Sequence, residues 1–354
     1  MAPVTHPQLV NQIIRSFITD RIHRSGAGSV QSGPATACPS TSNAIDHTRL
    51  RSPKHCRQGL HRGAIINMAK NAPSAPSDLG GQRKPKQSNS GLAFDSFGSG
   101  PPLILLHGLG SYRGAWSPLI PRLAPHRQVI AVDLPGGGCS APLPSGVPYT
   151  VDTLADAITA FIRELRVERA QVVGNSLGGA IALELARREV AGSVTAISPI
   201  GFWSSIEQTY GTQVLRCLRR LSKLLQPVAP RLLHSGPGRS LLFAPAVGRP
   251  WRFAPVDAAA AYAAFLNASA FDVTLPRLRG YRFRNGHELK LSTTIIWGRR
   301  DLLLPIWQMR RARRLLPQAR FVVLPGCGHV PMSDDPEQLV AELMAQRSDN
   351  LGPR

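Results

Sequence analysis

Six short runs of apolar, largely β-branched residues recur between residues 103 and 326, each ending in a turn residue. They are "LILLHG" (Leu103–Gly108), "QVIAVDLPG" (Gln128–Gly136), "AQVVGNS" (Ala170–Ser176), "SVTAISP" (Ser193–Pro199), "TTIIWG" (Thr293–Gly298) and "RFVVLPG" (Arg320–Gly326). The apolar positions are continuous rather than alternating, which is the pattern of central parallel strands covered on both faces. Stretches with helical spacing lie between them, among them "TVDTLADAITAFIRELRV" and "LGGAIALELARREV", and "DPEQLVAELMAQR" follows the last strand behind an acidic cap. Strand and helix in alternation predict an open, doubly wound, mostly parallel α/β sheet.

The alternation breaks once, between about residues 200 and 289. There "TYGTQVLRCLRRLSKLLQ" and "APAVGRPWRFAPVDAAAAYAAFLNASAF" read as helices and Pro-rich loops, rich in arginine and aromatics and poor in acids. A helical cap inserted between two strands is expected. Residues 1–90 differ again. They are rich in Ser, Pro, Gly, Arg and Lys, and they carry 12 basic against 3 acidic residues. Such a composition buries too little apolar surface to offset chain entropy, so a mostly disordered N-terminal extension is expected. The organisation that follows is an extension over 1–90 and a catalytic-type domain over 91–347.

One island within the extension is periodic. In "HPQLVNQIIRSFITDRIHR", Leu9, Ile13 and Phe17 recur four residues apart, as do Val10, Ile14, Ile18 and Ile22. The result is a basic amphipathic helix suited to peripheral association with a membrane surface. It lacks the apolar region and small-residue cleavage site of a secretory signal. The compositional break also marks Met68 as a candidate alternative start.

Charge and cysteine content narrow the classes. The chain has 42 Lys+Arg against 21 Asp+Glu, a formal +21, which attracts polyanions in general. No groove-reading or stacking motif accompanies it, so no specific nucleic-acid function is read. No apolar run approaches the ~18 residues of a membrane-spanning helix. Cys38, Cys56, Cys139, Cys217 and Cys327 are odd in number and scattered, without ligand spacing. Neither a disulfide framework nor a metal site is indicated, and a reducing, cytoplasmic setting is expected.

The chemistry concentrates at strand ends. Gly174-Asn175-Ser176-Leu177-Gly178 fits G-x-S-x-G between an apolar strand and a Gly/Ala-rich helix. A sharp strand-to-helix turn there lifts the serine hydroxyl above the sheet, and small flanking residues let the turn close. Such a serine needs a base and the base an orienting carboxylate. His329, in "PGCGHVPMSDDPEQL", and Asp301, in "IIWGRRDLLLP", both follow strands directly, at the edge where open α/β sheets carry their sites. Asp334 and Asp335 read instead as caps of the last helix, and Asp133 as part of a glycine-rich turn. The backbone N–H groups of Leu177 and Leu109 are the expected oxyanion donors. His107 is read as a brace for its loop rather than a catalytic group.

"LILLHGLG…W", "DLPGGGCS", "VVGNSLGGA", "WGRRDLLLP" and "PGCGHVPMSDDPEQL" together resemble the α/β-hydrolase superfamily over about residues 91–347. The resemblance implies Ser176 as nucleophile, His329 as general base and acid, Asp301 as orienter, and a structural role for the turn from Asp133 to Ser140. The family's N-terminal strands are represented only by "GLAFDSFG". Serine at the elbow argues against epoxide hydrolases and haloalkane dehalogenases of this fold, which use aspartate. The implied reaction is hydrolysis of a small carboxylic ester or thioester through an acyl-serine, without cofactor or metal. A carbon–carbon bond hydrolase, a perhydrolase or a non-catalytic binding protein on the same scaffold are the alternatives. Phe202 and Trp203 are expected to wall an acyl pocket. Arg216, Arg219, Arg220 or Arg252 are expected to meet an anionic head group, giving a preference for anionic substrates.

Overall fold

The computed structural model describes residues 85–167 and 169–345. Its eight strands are β1 (Lys86–Gln87), β2 (Ala93–Phe97), β3 (Pro102–Leu106), β4 (Gln128–Val132), β5 (Gln171–Asn175), β6 (Ser193–Ile197), β7 (Thr293–Gly298) and β8 (Arg320–Leu324). They form one sheet in the order β1-β2-β4-β3-β5-β6-β7-β8. From β4 to β8 every pairing is parallel, while β1 and β2 are antiparallel additions at one edge. All six apolar runs are strands of the parallel part, and "GLAFDSFG" supplies β2. The Lys86–Gln87 strand falls inside the segment expected to be a disordered extension, because its backbone finds a partner in Phe94 and Ala93. The amphipathic helix around Leu9–Ile22 and Met68 lie outside the described residues.

The helices are α1 (Ile120–Leu123), α2 (Val151–Glu164), α3 (Leu177–Arg187), α4 (Ser205–Leu224), α5 (Ala229–His234), α6 (Gly236–Phe243), α7 (Pro255–Asn267), α8 (Phe271–Arg277), α9 (Met309–Leu315), α10 (Pro331–Asp334) and α11 (Pro336–Ala345). Successive strand residues point to opposite faces, and the core divides accordingly. Ile104, Leu106, Val172, Ala196 and Trp297 pack with Ile158 and Phe161 of α2 and Ile181 of α3. Leu103, Leu105, Val173, Ile197 and Ile296 pack on the other side with Trp116, Leu123 and Leu343. Both faces are therefore covered, which explains why the strands read as continuous apolar runs.

Helix starts follow local chemistry. Thr150 and Ser204 form capping boxes with Thr153 and Glu207 at the heads of α2 and α4. Asp335 accepts from the Gln338 N–H at 3.0 Å and starts α11, as its sequence position suggested. The helices α4 to α8 occupy the insertion between β6 and β7 and form the cap. Its own small core contains Leu233, Leu242, Val247, Phe253 and Tyr262.

Candidate active site

Strand β5 ends at Asn175 and α3 begins at Leu177, leaving Ser176 alone to turn the chain. Its backbone sits at φ 57° and ψ −112°, a region costly for a residue with a side chain, of order 1–3 kcal/mol. The surroundings hold it there. Ser176 N–H donates to Ile197 O at 2.9 Å, and Ser176 O accepts from Ala180 N–H at 3.1 Å. The two glycines are obligatory for contact reasons: a Cβ on Gly174 would stand 2.0 Å from Gly178 O, and one on Gly178 would stand 2.3 Å from Leu106 O. The turn closes against β3 only because neither residue has a side chain. Ser176 is left half-buried with its side chain lining a cavity between sheet and cap.

His329 lines the same cavity. Its Nδ1 lies 2.8 Å from Asp301 Oδ2, and both residues are buried. Asp301 Oδ1 accepts from the Leu303 and Leu304 N–H groups at 3.0 and 2.7 Å, which fixes the carboxylate after β7. With Nδ1 donating to this carboxylate, Nε2 is the free, basic nitrogen. It is buried and has no hydrogen-bond partner among the described residues. Ser176 and His329 thus share one cavity without being bonded, a looseness common in unliganded sites.

Leu177 is the first residue of α3, so its N–H has no intrahelical acceptor and points with the helix dipole toward the cavity end. Leu109, from the loop after β3, lines the cavity opposite. Gly108 brings this loop against the elbow: a Cβ there would lie 3.2 Å from Ser176 Cβ. His107 braces it, since Nδ1–H donates to Gly108 O at 2.8 Å and Nε2 accepts from the Leu134 N–H at 2.9 Å. Burial lowers the His107 pKa and keeps the ring neutral, despite Asp133 at 3.9 Å. Asp133 has a structural place too, taking the Arg113 guanidinium at 2.5 Å and the Cys139 N–H at 2.8 Å.

Two site residues escaped the sequence reading. The Asn175 amide, buried beneath the elbow, donates from Nδ2 to His329 O at 2.9 Å and to Ile197 O at 3.2 Å. It ties the histidine loop to the serine turn, and in the sequence it is only the first unspecified residue of G-x-S-x-G. Asp334 is not a helix cap. Its Oδ2 accepts from the N–H groups of Gly328 and Gly248 at 2.8 and 2.9 Å, and Oδ1 from that of Arg249 at 2.8 Å. It therefore joins the loop carrying His329 to a cap loop, a role decided by where the cap folds rather than by the local helix.

The substrate-side expectations are corrected. Phe202 and Trp203 do not line the cavity; both are buried in the main core. Phe202 packs against Phe283 with ring centroids 5.6 Å apart and planes tilted by 53°, and the Trp203 indole N–H donates to Tyr281 O at 2.9 Å. The loop after β6 turns them inward, under the cap. Of the four arginines, none lines the cavity. Arg216, Arg220 and Arg252 are exposed, and Arg219 is buried against Phe265 and Phe271 with its guanidinium carbon 5.5 and 4.8 Å from the ring centroids. The cavity wall is instead apolar, built from Leu218, Leu242, Phe243, Val247, Phe253 and Phe265 of the cap. Among the described residues its one lining carboxylate is Asp257, at an exposed position.

A model of the alpha/beta hydrolase family matches residues 103–343, from β3 into the last helix. The chain belongs to this family. As a member, it is 30% identical over 262 residues to a pimeloyl-[acyl-carrier protein] methyl ester esterase of Xanthomonas axonopodis pv. citri, covering 70% of this chain and 95% of that one. It is 28% identical over 268 residues to an uncharacterized protein of Mycobacterium tuberculosis, covering 70% and 75% of the two chains. The structure of a thermophilic esterase from Thermogutta terrifontis matches with a TM-score of 0.59 at 23% identity, over 74% of this chain and 94% of that one. That likeness speaks to the fold. The alpha/beta hydrolase thus has esterases among its relatives.

Proposed function

We propose that this alpha/beta hydrolase is a serine hydrolase that cleaves a carboxylic ester or thioester through an acyl-serine intermediate. The observation that carries the reading is the common cavity of Ser176 and His329, with Nδ1 of the histidine held by Asp301 and Nε2 unpartnered. Ser176 Oγ attacks the carbonyl carbon while His329 Nε2 takes its proton. The negative charge formed on the carbonyl oxygen is met by the N–H groups of Leu177 and Leu109. The tetrahedral intermediate collapses, His329 returns the proton to the departing alcohol or thiol, and the acyl group stays on Ser176. Water, deprotonated by the same nitrogen, then attacks the acyl-serine and releases the acid. Asp301 holds the imidazole tautomer and orientation through its bond to Nδ1. The apolar cap wall suits an apolar acyl or alcohol group, and the esterase names among the relatives point to the same bond class.

The test is intact mass after treatment with a fluorophosphonate, for the wild type and Ser176→Ala. One adduct on the wild type and none on the variant is expected, followed by turnover on a panel of short esters and thioesters. A folded wild-type protein that takes no adduct would refute the reading.

A further inference from the structure

Between Glu207 and Asp257 the chain runs for 49 residues, 208–256, without one Asp or Glu, and it holds eight Lys and Arg. This stretch is most of the cap. It also carries five of the eleven exposed large apolar side chains among the described residues: Leu224, Val228, Leu241, Trp251 and Val256. These are well exposed, Leu224 at 75% and Val256 at 71%. The elements bearing them pack on one another. Trp251 lies against the start of α6, where a Cβ on Gly236 would be 3.4 Å from its own Cβ, and the Arg239 guanidinium donates to Trp251 O at 2.8 Å. Exposed Arg216, Arg220, Lys223, Arg231 and Arg252 accompany them. The same stretch forms the cavity wall from within, through Leu218, Leu242, Phe243 and Phe253.

We propose that the outer surface of the cap is a docking surface for an anionic lipid bilayer. A cationic surface studded with Trp, Leu and Val, in which Asp272 stands 3.8 Å from Lys223 Nζ and Asp257 is exposed beside Val256, has two ways of holding such a partner. The cations are drawn to the negative headgroup layer, and the apolar side chains enter the boundary between headgroups and acyl chains. Charge alone would serve a nucleic acid as well. Solvent-exposed leucine, valine and tryptophan beside the charge match a lipid interface, where apolar side chains gain by leaving water. The stretch that carries this surface also supplies Leu218, Leu242, Phe243 and Phe253 to the cavity wall, so docking would hold the cavity close to lipid-dissolved apolar substrates. The basic N-terminal segment is expected from its sequence to add membrane affinity of its own, and the test must tell the two apart.

The experiment uses the full chain and co-sedimentation with vesicles of phosphatidylcholine alone or with about 30% phosphatidylglycerol. Variants are Leu241→Ser/Trp251→Ser and Arg220→Gln/Arg252→Gln, none of which alters a cavity-lining residue. Binding to the anionic vesicles is expected, weakened about tenfold by either pair and reduced by salt. In a Trp307→Phe background the emission of the exposed Trp251 shifts to the blue on binding. Soluble short-ester hydrolysis and fluorophosphonate labelling stay within about twofold of wild type, so failure here and failure of the serine-hydrolase reading are separately visible. The proposal is overturned if the variants bind vesicles as the wild type does, which assigns binding to the N-terminal segment. It is also overturned if anionic vesicles are not bound, if duplex DNA is bound with the same losses, or if the face instead supports a dimer that the Leu241/Trp251 pair abolishes.

Discussion

Asn175→Ala isolates the link between the serine turn and the histidine loop. The amide makes two hydrogen bonds, to His329 O at 2.9 Å and Ile197 O at 3.2 Å, in a buried position. Ile197 O keeps a partner after the substitution, because the Ser176 N–H also donates to it at 2.9 Å. His329 O loses this donor, at a residue that is itself buried. A buried acceptor left unpaired costs about 1–3 kcal/mol, and the space of the missing amide adds somewhat to that. The expected loss is about 2–3 kcal/mol, or a fall in Tm of about 5–10 °C for a domain of this size. The catalytic effect is of another kind. Freed of the amide, the His329 backbone drifts relative to Ser176, and a displacement near 1 Å costs on the order of 100-fold in rate. The assay is kcat and KM on a short ester, with the rate of fluorophosphonate labelling and a thermal melt. Gln208→Ala is the control, since its buried amide donates to Leu278 O at 2.7 Å in the cap, away from the histidine loop. Both variants should melt earlier, but only Asn175→Ala should lose kcat. If Asn175→Ala loses stability like the control and keeps kcat within twofold, the amide does not position the histidine and the reasoning fails.

Three further outcomes are expected. Gly178→Ala puts a Cβ at 2.3 Å from Leu106 O and 2.7 Å from His107 O, both backbone atoms, so soluble folded protein should not be recovered at wild-type yield, as solubility and circular dichroism would show. Glu207 is pushed up by burial but pulled further down, to about 2, by the Arg311 guanidinium, the Ser204 N–H and the Trp307 indole, from an ordinary value of 4.5. Its folded pKa is depressed, so its stabilisation is present above about pH 4.5 and lost as pH falls toward 2; Glu207→Gln should flatten the acid side of the stability profile by about 1 kcal/mol, the size of a partly screened ion pair, in denaturant titrations. Among the described residues, Asp257 is the only carboxylate lining the cavity. An ester ending in a carboxylate should therefore turn over several-fold more slowly than its neutral analogue, about 1 kcal/mol of repulsion at intermediate dielectric. Asp257→Asn should close that gap in kcat/KM while leaving the neutral ester unchanged.

Much of the frame was legible because it is written in local periodicity. A strand covered on both faces must be apolar at every position, so "LILL", "VIAV" and "TTIIW" announced the parallel sheet before any pairing was known. The elbow was legible for a related reason. Gly174 is demanded by the backbone of Gly178 and Gly179, and Gly178 by the backbone of Leu106 and His107 at the end of β3, so the motif is a steric requirement compressed into five residues. Ser176, Asp301 and His329 each follow a strand, and parallel strands deliver their C-terminal ends to one edge. Their meeting place was thus implied by topology, which the apolar pattern had already indicated.

What the sequence could not determine is whatever depends on two segments distant in the chain approaching one another. Phe202 and Trp203 are aromatic on any reading, but whether they face a cavity or a core was settled by Phe283 and Tyr281 folding back over them. Asp334 sits where a helix cap belongs, yet its carboxylate is claimed by the amides of Gly248 and Arg249, some eighty-five residues earlier. Asn175 has no periodic or motif signature, because its partners are carbonyls of two other segments. Periodicity is set by each element's own geometry and survives in one dimension. The direction of a side chain within a crowded junction is set by the packing of its neighbours, and only the tertiary structure decides that.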